Sequence, residues 1–424
     1  LSIDDSAGIP LTRTVPGAFL DLVLGALETD FAPQALMALL KQPLALLGRN
    51  PEQARQAART LERIVFRDVY VGQGLSGARA ALEAAWRTGR VKPEPYESAR
   101  ALLDDLDKAF APALAVATGD QEARRLAQVH VAVAEALARD AEGRCARLWQ
   151  GDAGEALVAL LAELIDKGQG VMLTLADYPP FYRSLTAGQS VRPRVAAHPR
   201  LFIWGPLEAR LQQPDVVILG SLNEGVWPRH EEAGPWLSRP MRARLGLSPP
   251  ERRTGLAAHD FVQGLGAREV YLTRAHKVDG VQTVPSRWLQ RLLALVEAAG
   301  LRAKIVPAEP WTAWARKRDF APEQPPVKAP TPCPPADLRP TSLSVTQIER
   351  WIANPYEIFA KHILKLEPLQ ELGAEPDAAT RGLIVHRAVQ DFARRYPREL
   401  PDDIESALIA LADAHFAKLA GSPL

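Results

Sequence analysis

Residues 215–228 read DVVILGSLNEGVWP, a short apolar run that ends in a loop of glycine and polar residues. Two further apolar runs flank it in the sequence, LFIW at 201–204 and VYLT at 270–273. Continuous apolar runs of this length are typical of strands that are buried on both faces of a parallel sheet. Because helical patterns at 252–264 and 286–299 lie between and after these runs, the sequence predicts an α/β fold.

Polar residues stand where two of the predicted strands end. Asn223 and Glu224 follow the second run, and Arg274 follows the third. The carboxyl ends of strands are where α/β sheets bind ligands. A guanidinium there can stabilise charge that spreads over transferring phosphoryl oxygens, although an arginine paired on the surface is the alternative interpretation.

A group of basic residues forms the second candidate site. It consists of Arg239, Arg242, Arg244, Arg252 and Arg253, with Trp236 nearby and Glu251 as the main opposing charge. Such a group attracts phosphates, and an aromatic ring can stack on an unpaired base. A solvated helix face is the alternative.

The composition limits the class of protein. A chain of 424 residues predicts two or three domains, and 47% hydrophobic with 24% charged residues argues against a disordered chain. Two cysteines, Cys145 and Cys333, provide neither a secreted disulfide framework nor a four-cysteine metal site, which favours a reducing cytoplasm. The net charge of +1 means that any DNA-binding face must be local.

Other segments are defined by their patterns. Residues 17–165 carry apolar stripes at helical spacing, and residues 321–340 are too rich in proline for a helix or an interior strand. Helices are predicted again at 347–365 and 381–396. The sequence shows no membrane-spanning run and no signal peptide, and because it begins at Leu1 we expect a fragment.

Three stretches together carry a family resemblance: GPLEARLQQPDVVILGSLNEGVWP, YLTRAHKVDGVQTVPSRWLQRL and SLSVTQIERWIANPYEIFAKHILKL. They resemble UvrD/RecB-type superfamily 1 helicases and, more narrowly, the AddB-type subunits of AddAB helicase–nucleases. The resemblance implies a RecA-like second helicase domain with a large all-helical insertion, followed by the start of a PD-(D/E)XK nuclease domain of RecB type. The implied segments are an edge segment of the helicase-like domain (1–16), the helical insertion (17–165), the RecA-like domain (166–305), a proline-rich linker (306–340) and the nuclease part (341–424).

The resemblance also implies roles for individual residues. Glu208, Glu224 and Arg274 would bind nucleotide, and the basic group would bind single-stranded DNA. In the stretch RGLIVHRAVQDF at 381–392, His386 would lie at the catalytic metal site and support Mg²⁺-dependent hydrolysis. A structural role is the alternative for a single histidine on a helix. The family's metal-binding aspartate and Asp/Glu-x-Lys pair should follow well after His386.

Two cofactor expectations depend on departures from the family pattern. No Gly-x-x-x-x-Gly-Lys-Ser/Thr phosphate loop occurs, so ATP would be bound mainly by the partner subunit. No iron–sulfur cluster is expected, because Asn354-Pro355-Tyr356 stands where the family has a cysteine.

The function implied by the resemblance is DNA double-strand break repair. The protein would form a heterodimer with an AddA-type helicase–nuclease subunit, bind single- and double-stranded DNA, and contribute a metal-dependent exonuclease for end resection before homologous recombination. The fragment alone would be inactive. A non-catalytic DNA-scanning scaffold with vestigial helicase and nuclease features is the alternative. An autonomous helicase is disfavoured unless a phosphate loop precedes Leu1.

Overall fold

A computed structural model describes residues 3–67, 70, 72–192, 198–229, 236–249, 251–305, 310–320, 326–328, 330–369, 371–374 and 378–420. The helices are α1 Val15–Glu28, α2 Pro33–Leu40, α3 Pro51–Leu61, α4 Gly74–Arg87, α5 Pro93–Leu114, α6 Ala123–Ala138, α7 Ala146–Trp149, α8 Gly151–Lys167, α9 Tyr178–Thr186, α10 Arg239–Arg244, α11 Glu251–Gly264, α12 Arg287–Ala298, α13 Trp311–Asp319, α14 Val345–Ala353, α15 Pro355–Ile358, α16 Ala378–Arg395 and α17 Ile404–Ala420.

The strands are short. They are β1 Asp4–Asp5, β2 Ile9–Pro10, β3 Gln121–Glu122, β4 Met172–Leu173, β5 Ser190–Val191, β6 Phe202–Ile203, β7 Val216–Leu219, β8 Glu269–Leu272, β9 Lys277–Val278 and β10 Val281–Gln282. Among the described residues they form two-stranded sheets only. The chain divides into two compact units, one made of Leu1–Ala7 with Ala196–Phe359 and the other of Gly8–Val195 with Ala360–Leu424.

The larger unit is mainly helical. Its helices begin at strong local signals; for example, Asn50 caps α3 by accepting from two backbone amides, while the Gln53 side chain reaches back to the Asn50 amide. The apolar stripes of α1, α5, α6 and α8 form one continuous core. His130 of α6 is 3% exposed within that core. Its Nε2 lies 3.0 Å from the Leu20 carbonyl and its Nδ1 lies 3.3 Å from the Tyr178 hydroxyl.

The smaller unit is organised by the parallel pair β7–β8. Val216 is paired with Glu269 and Leu219 with Leu272. The strand predicted at 216–219 is confirmed, and the run at 270–273 forms the strand Glu269–Leu272, one residue earlier than predicted. The structure places the two strands side by side. One face of the pair packs on a small core with α11 and α12, in which Leu219, Leu222, Phe261 and Leu289 are buried.

The expectation that these strands are buried on both faces is wrong. Ile218 is 67% exposed, and Phe202 is 44% exposed. Phe202–Ile203 pairs with Asp4–Asp5 and not with β7. The physical reason is that α11 and α12 cover one face of the β7–β8 pair, so alternate side chains on the other face stay open to solvent.

Most of the predicted helices are confirmed with small shifts at their ends. α11, α12 and α16 correspond to the predicted segments at 252–264, 286–299 and 381–396. The segment predicted as one helix at 347–365 is broken at Asn354, which precedes Pro355 and has an extended φ of −149°. A residue before proline is disfavoured in the helical region, so the break follows from the sequence. Within the proline-rich linker, residues 306–309, 321–325 and 329 lie outside the described residues. No described helix is both long enough and apolar enough to span a bilayer.

Candidate functional site

The loops that follow β7 and β8 are joined to each other by backbone hydrogen bonds. The amide of Leu222 donates to the Thr273 carbonyl at 3.0 Å, and the amide of Ser286 donates to the Leu222 carbonyl at 2.9 Å. The amide of Glu224 donates to the Val284 carbonyl at 2.9 Å. The carboxyl ends of the two strands and the start of α12 therefore form one loop cluster.

Arg274 is held inside this cluster. Its Nη1 donates to the Thr283 hydroxyl at 3.4 Å, and its Nη2 donates to His276 Nδ1 at 3.1 Å. The Thr283 hydroxyl donates to the Ala275 carbonyl and lies 3.4 Å from Asn223 Oδ1. None of these partners is a carboxylate, so they leave the positive charge of the guanidinium available to an anion.

Glu224 is engaged at the start of α12. Its carboxylate accepts from the Arg287 backbone amide at 3.2 Å and from Arg287 Nε at 3.0 Å. The carboxylate raises the pKa of Arg287 by hydrogen bonding and by its charge. A negative charge at a helix N-terminus is also favourable because of the helix dipole. Glu224 therefore stabilises the junction between the β7 loop and α12, and its role at a nucleotide stays a prediction.

Glu208 lies outside the hydrogen bonds of that cluster. Its side chain is exposed. A Cβ on Gly205 would lie 2.7 Å from a Glu208 carboxylate oxygen, so the glycine at this position makes room for the Glu208 side chain. Nearby, Arg210 donates to Asp260 of α11 at 2.7 and 2.9 Å, which ties the 205–211 segment to that helix. The described contacts bring Glu224 and Arg274 into one cluster but do not link Glu208 to either.

The basic group lies on α10 and α11. Glu251 pairs with Arg239 at 2.7 Å. Arg242 and Arg252 instead donate to the backbone carbonyl and the hydroxyl of Ser248, at 3.3 and 3.0 Å. Because serine is neutral, these contacts orient the two guanidiniums without cancelling their charge.

The other basic residues of the group are exposed. Arg244 is at the end of α10 and Arg253 is in the first turn of α11. Arg242 is half-buried, and its Nε is buried without a hydrogen-bond partner among the described residues. Arg244 is therefore a cleaner position than Arg242 for testing the charge of this surface.

His386 stands on the solvent side of α16. Ile384 and Ala388 are buried, and a residue two positions from each points to roughly the opposite side of a helix. Further along α16, a carboxylate oxygen of Asp391 lies 2.9 Å from His415 Nε2 of α17, and this contact joins α16 to α17. His386 forms no hydrogen bond of this kind with the described residues.

The described residues do not assemble a metal centre. They contain no group of three or more His, Cys, Asp or Glu side chains that could hold a metal ion. His386 supplies one nitrogen, whereas Mg²⁺ is bound through carboxylates and water. A Mg²⁺ site would need carboxylates in addition to His386.

Sequence reasoning missed an aromatic and basic segment on α13. The helix contains Trp311 and Trp314, followed by Arg316, Lys317 and Arg318. The signal was present in the sequence as WTAWARKR at 311–318, but it stands next to the proline-rich linker and reads as part of it.

Comparison with known proteins identifies the C-terminal part of the chain. Residues 342–423 match the family model of the PD-(D/E)XK nuclease superfamily. An uncharacterized protein of Rickettsia felis is 24% identical over 279 residues, and one of Rickettsia conorii is 25% identical over 271 residues. Each alignment covers 63% of this chain and 31% of the relative, so the chain spans about a third of the length of these proteins. The chain therefore carries, at residues 342–423, a PD-(D/E)XK nuclease superfamily domain, and nuclease-type function is the activity that this domain indicates.

Proposed function

We propose that this chain is part of a DNA double-strand break repair protein, the AddB-type subunit of a helicase–nuclease. The observation that carries the proposal is the PD-(D/E)XK domain at residues 342–423, in one polypeptide with a parallel strand pair whose loops present Arg274. In the proposal, the unit that contains β7 and β8 binds single-stranded DNA, and the nuclease domain trims the DNA end before homologous recombination.

Contact with DNA would be made by the basic group on α10 and α11. Guanidiniums neutralise backbone phosphates and release counterions, which makes the affinity depend strongly on salt concentration. Ser248 supports this use because it orients Arg242 and Arg252 without neutralising them.

Phosphodiester cleavage would be the task of the PD-(D/E)XK domain. Nucleases of this superfamily generally use Mg²⁺, which supplies an activated water when it is bound. His386 supports the proposal by its exposed position on α16, where its ring can reach water or a phosphate. The carboxylates of the site would come from residues other than the described neighbours of His386.

Nucleotide chemistry is assigned mainly to an AddA-type partner. Arg274 keeps its charge and would contact a phosphate at the loop cluster, whereas Glu224 is bound to Arg287. The proposal therefore gives this chain a supporting role in ATP use.

The test is end-dependent DNA degradation by the intact protein together with its ATP-hydrolysing partner. The proposal predicts that, with Mg²⁺ and ATP, linear duplex DNA is degraded while covalently closed circular DNA is spared. Degradation should slow in an Arg244→Glu variant and stay unchanged in Arg291→Glu, a charge reversal at an exposed position on α12. If the complex unwinds DNA and this subunit adds no cleavage, the nuclease assignment is wrong and the non-catalytic scaffold is correct.

A further inference from the structure

We propose that α13 is a second contact for single-stranded DNA, in which Trp314 stacks on a base and Arg316, Lys317 and Arg318 bind the backbone phosphates. The inference rests on the proposed DNA binding of this unit and adds a surface separate from the basic group on α10 and α11.

The open face of the β7–β8 pair provides the support for α13. Ile218 and Tyr271 are paired across the two strands and lie on this face. The ring of Trp311 packs edge-on against the Tyr271 ring, with centroids 6.4 Å apart. Trp311, which is 48% exposed, therefore connects α13 to the strand pair through this ring contact.

Trp314 is one helical turn further along α13 and continues the same aromatic row. Its ring packs edge-on against Trp311, with centroids 5.1 Å apart and planes at 78°. This contact fixes the ring but leaves Trp314 49% exposed. A fixed and half-exposed indole is suited to stacking on an unpaired base, because every base has a flat π face.

The charge of α13 identifies the class of partner. Arg316, Lys317 and Arg318 follow Trp314 directly, and the only acid in the helix is Asp319. All three basic residues are exposed, and none is ion-paired among the described residues. Because residues four apart share a helix face, Arg318 and Trp314 are on the same face of α13. A polyanion with exposed flat rings matches both features, and single-stranded DNA is such a polymer.

A structural explanation accounts for only part of this arrangement. Basic residues in the last turn favour a helix through its dipole, and Trp311 is explained by its packing on Tyr271. Packing on Trp311 accounts for one side of the Trp314 ring but leaves the residue 49% exposed, and none of these effects requires that exposure.

The experiment measures the binding of a labelled oligothymidylate to the chain by fluorescence anisotropy across a range of salt concentrations. We expect Trp314→Ala to weaken binding about tenfold, which corresponds to about 1.4 kcal/mol, and Trp314→Phe to restore most of the affinity. Replacing Arg316, Lys317 and Arg318 together by glutamine should make the slope of log K against log salt concentration less steep by up to about two.

Two control variants remove exposed side chains elsewhere on the same unit. Leu295→Ala removes a side chain that is 70% exposed on α12, and Arg302→Gln with Lys304→Gln removes two exposed charges. Both should bind oligothymidylate like the wild type. Circular dichroism identifies any variant that has lost its helices, and Trp314→Phe tests stacking in a variant that keeps an aromatic ring at this position.

The outcomes separate this inference from the proposed function. If the wild type binds the oligonucleotide and Arg244→Glu weakens it while the α13 variants bind normally, the α13 contact is wrong and the proposed function stands. If the wild type does not bind single-stranded DNA, both are wrong. If Trp314→Ala instead abolishes a dimer that forms without DNA, the face binds a second copy of the chain and the inference is overturned.

Discussion

Lowering the pH should destabilise the helical unit through His130. Burial lowers the pKa of this imidazole from 6.5 to about 4, against the opposing effects of the Leu20 carbonyl and the Asp21 charge. A carbonyl can only accept, so Nε2 carries the proton that binds Leu20, and Nδ1 accepts from the Tyr178 hydroxyl. The neutral ring therefore has both nitrogens satisfied, and protonation would place an unpaired charge in the core.

The size of the effect follows from proton linkage. Between about pH 6.5 and pH 4 the unfolded chain binds a proton at His130 that the folded chain does not, so stability is complete above this range and declines as the pH falls through it. The full loss is about 3 kcal/mol, and at about pH 5 it is about 2 kcal/mol relative to neutral pH.

Urea unfolding followed by far-ultraviolet circular dichroism measures this loss. The His130→Gln variant is the control because glutamine can donate to Leu20 and does not titrate, so the difference between wild type and variant isolates one group from the other histidines. An NMR titration of the His130 ring in the wild type gives its pKa directly. Equal pH dependence in the two proteins, or a ring pKa near 6.5, would refute the reasoning.

Two further pairs of substitutions test local contacts, one pair within each unit. Gly17→Ala should destabilise the protein by about 1–3 kcal/mol, because the new Cβ would lie 1.9 Å from the Leu11 carbonyl oxygen. Gly25→Ala on the same helix meets nothing within 4 Å, so its effect on the free energy of unfolding should lie between zero and a stabilisation of about 1 kcal/mol. Urea unfolding measures both. Ser286→Ala removes the hydroxyl that caps α12 by accepting from the Leu289 amide, and should lower stability by about 1 kcal/mol in unfolding followed by tryptophan fluorescence, while Ser286→Thr should lose less. Equal stability of the Gly17→Ala and Gly25→Ala variants would contradict the close contact at Gly17. Equal stability of the Ser286→Ala and Ser286→Thr variants would contradict the capping role of the Ser286 hydroxyl.

The sequence predicted the parts of the fold that depend on local pattern. The strands at 216–219 and 269–272 and the helices α11, α12 and α16 follow from runs and periodicity that are contained within each segment. The exposed outer face of the two strands could not be predicted in the same way. A continuous apolar run indicates a strand, but it does not indicate whether one face or both faces of the strand are covered. The break at Asn354 was visible in the sequence as Pro355, but the apolar spacing around it suggested continuity.

The sequence indicated which residues belong to the candidate site, but it did not indicate which residues they contact. Arg274 and Glu224 stand at strand ends in the sequence, and the structure places both in one loop cluster. The partner of Glu224 is Arg287, 63 positions away, and no local signal connects the two. The same limit applies to α13, because the packing of Trp311 on Tyr271 depends on which strand face is left open.

The most direct test of the account is Mg²⁺-dependent cleavage of end-labelled DNA by the intact protein, compared with its His386→Ala variant. The control is Gln390→Ala, an exposed position one turn along α16. We expect cleavage by the wild type and the control, and a loss of at least about tenfold in the His386 variant without a change in DNA affinity. Normal cleavage by the His386 variant would show that this histidine is outside the site, and no cleavage by the wild type would contradict the nuclease function itself.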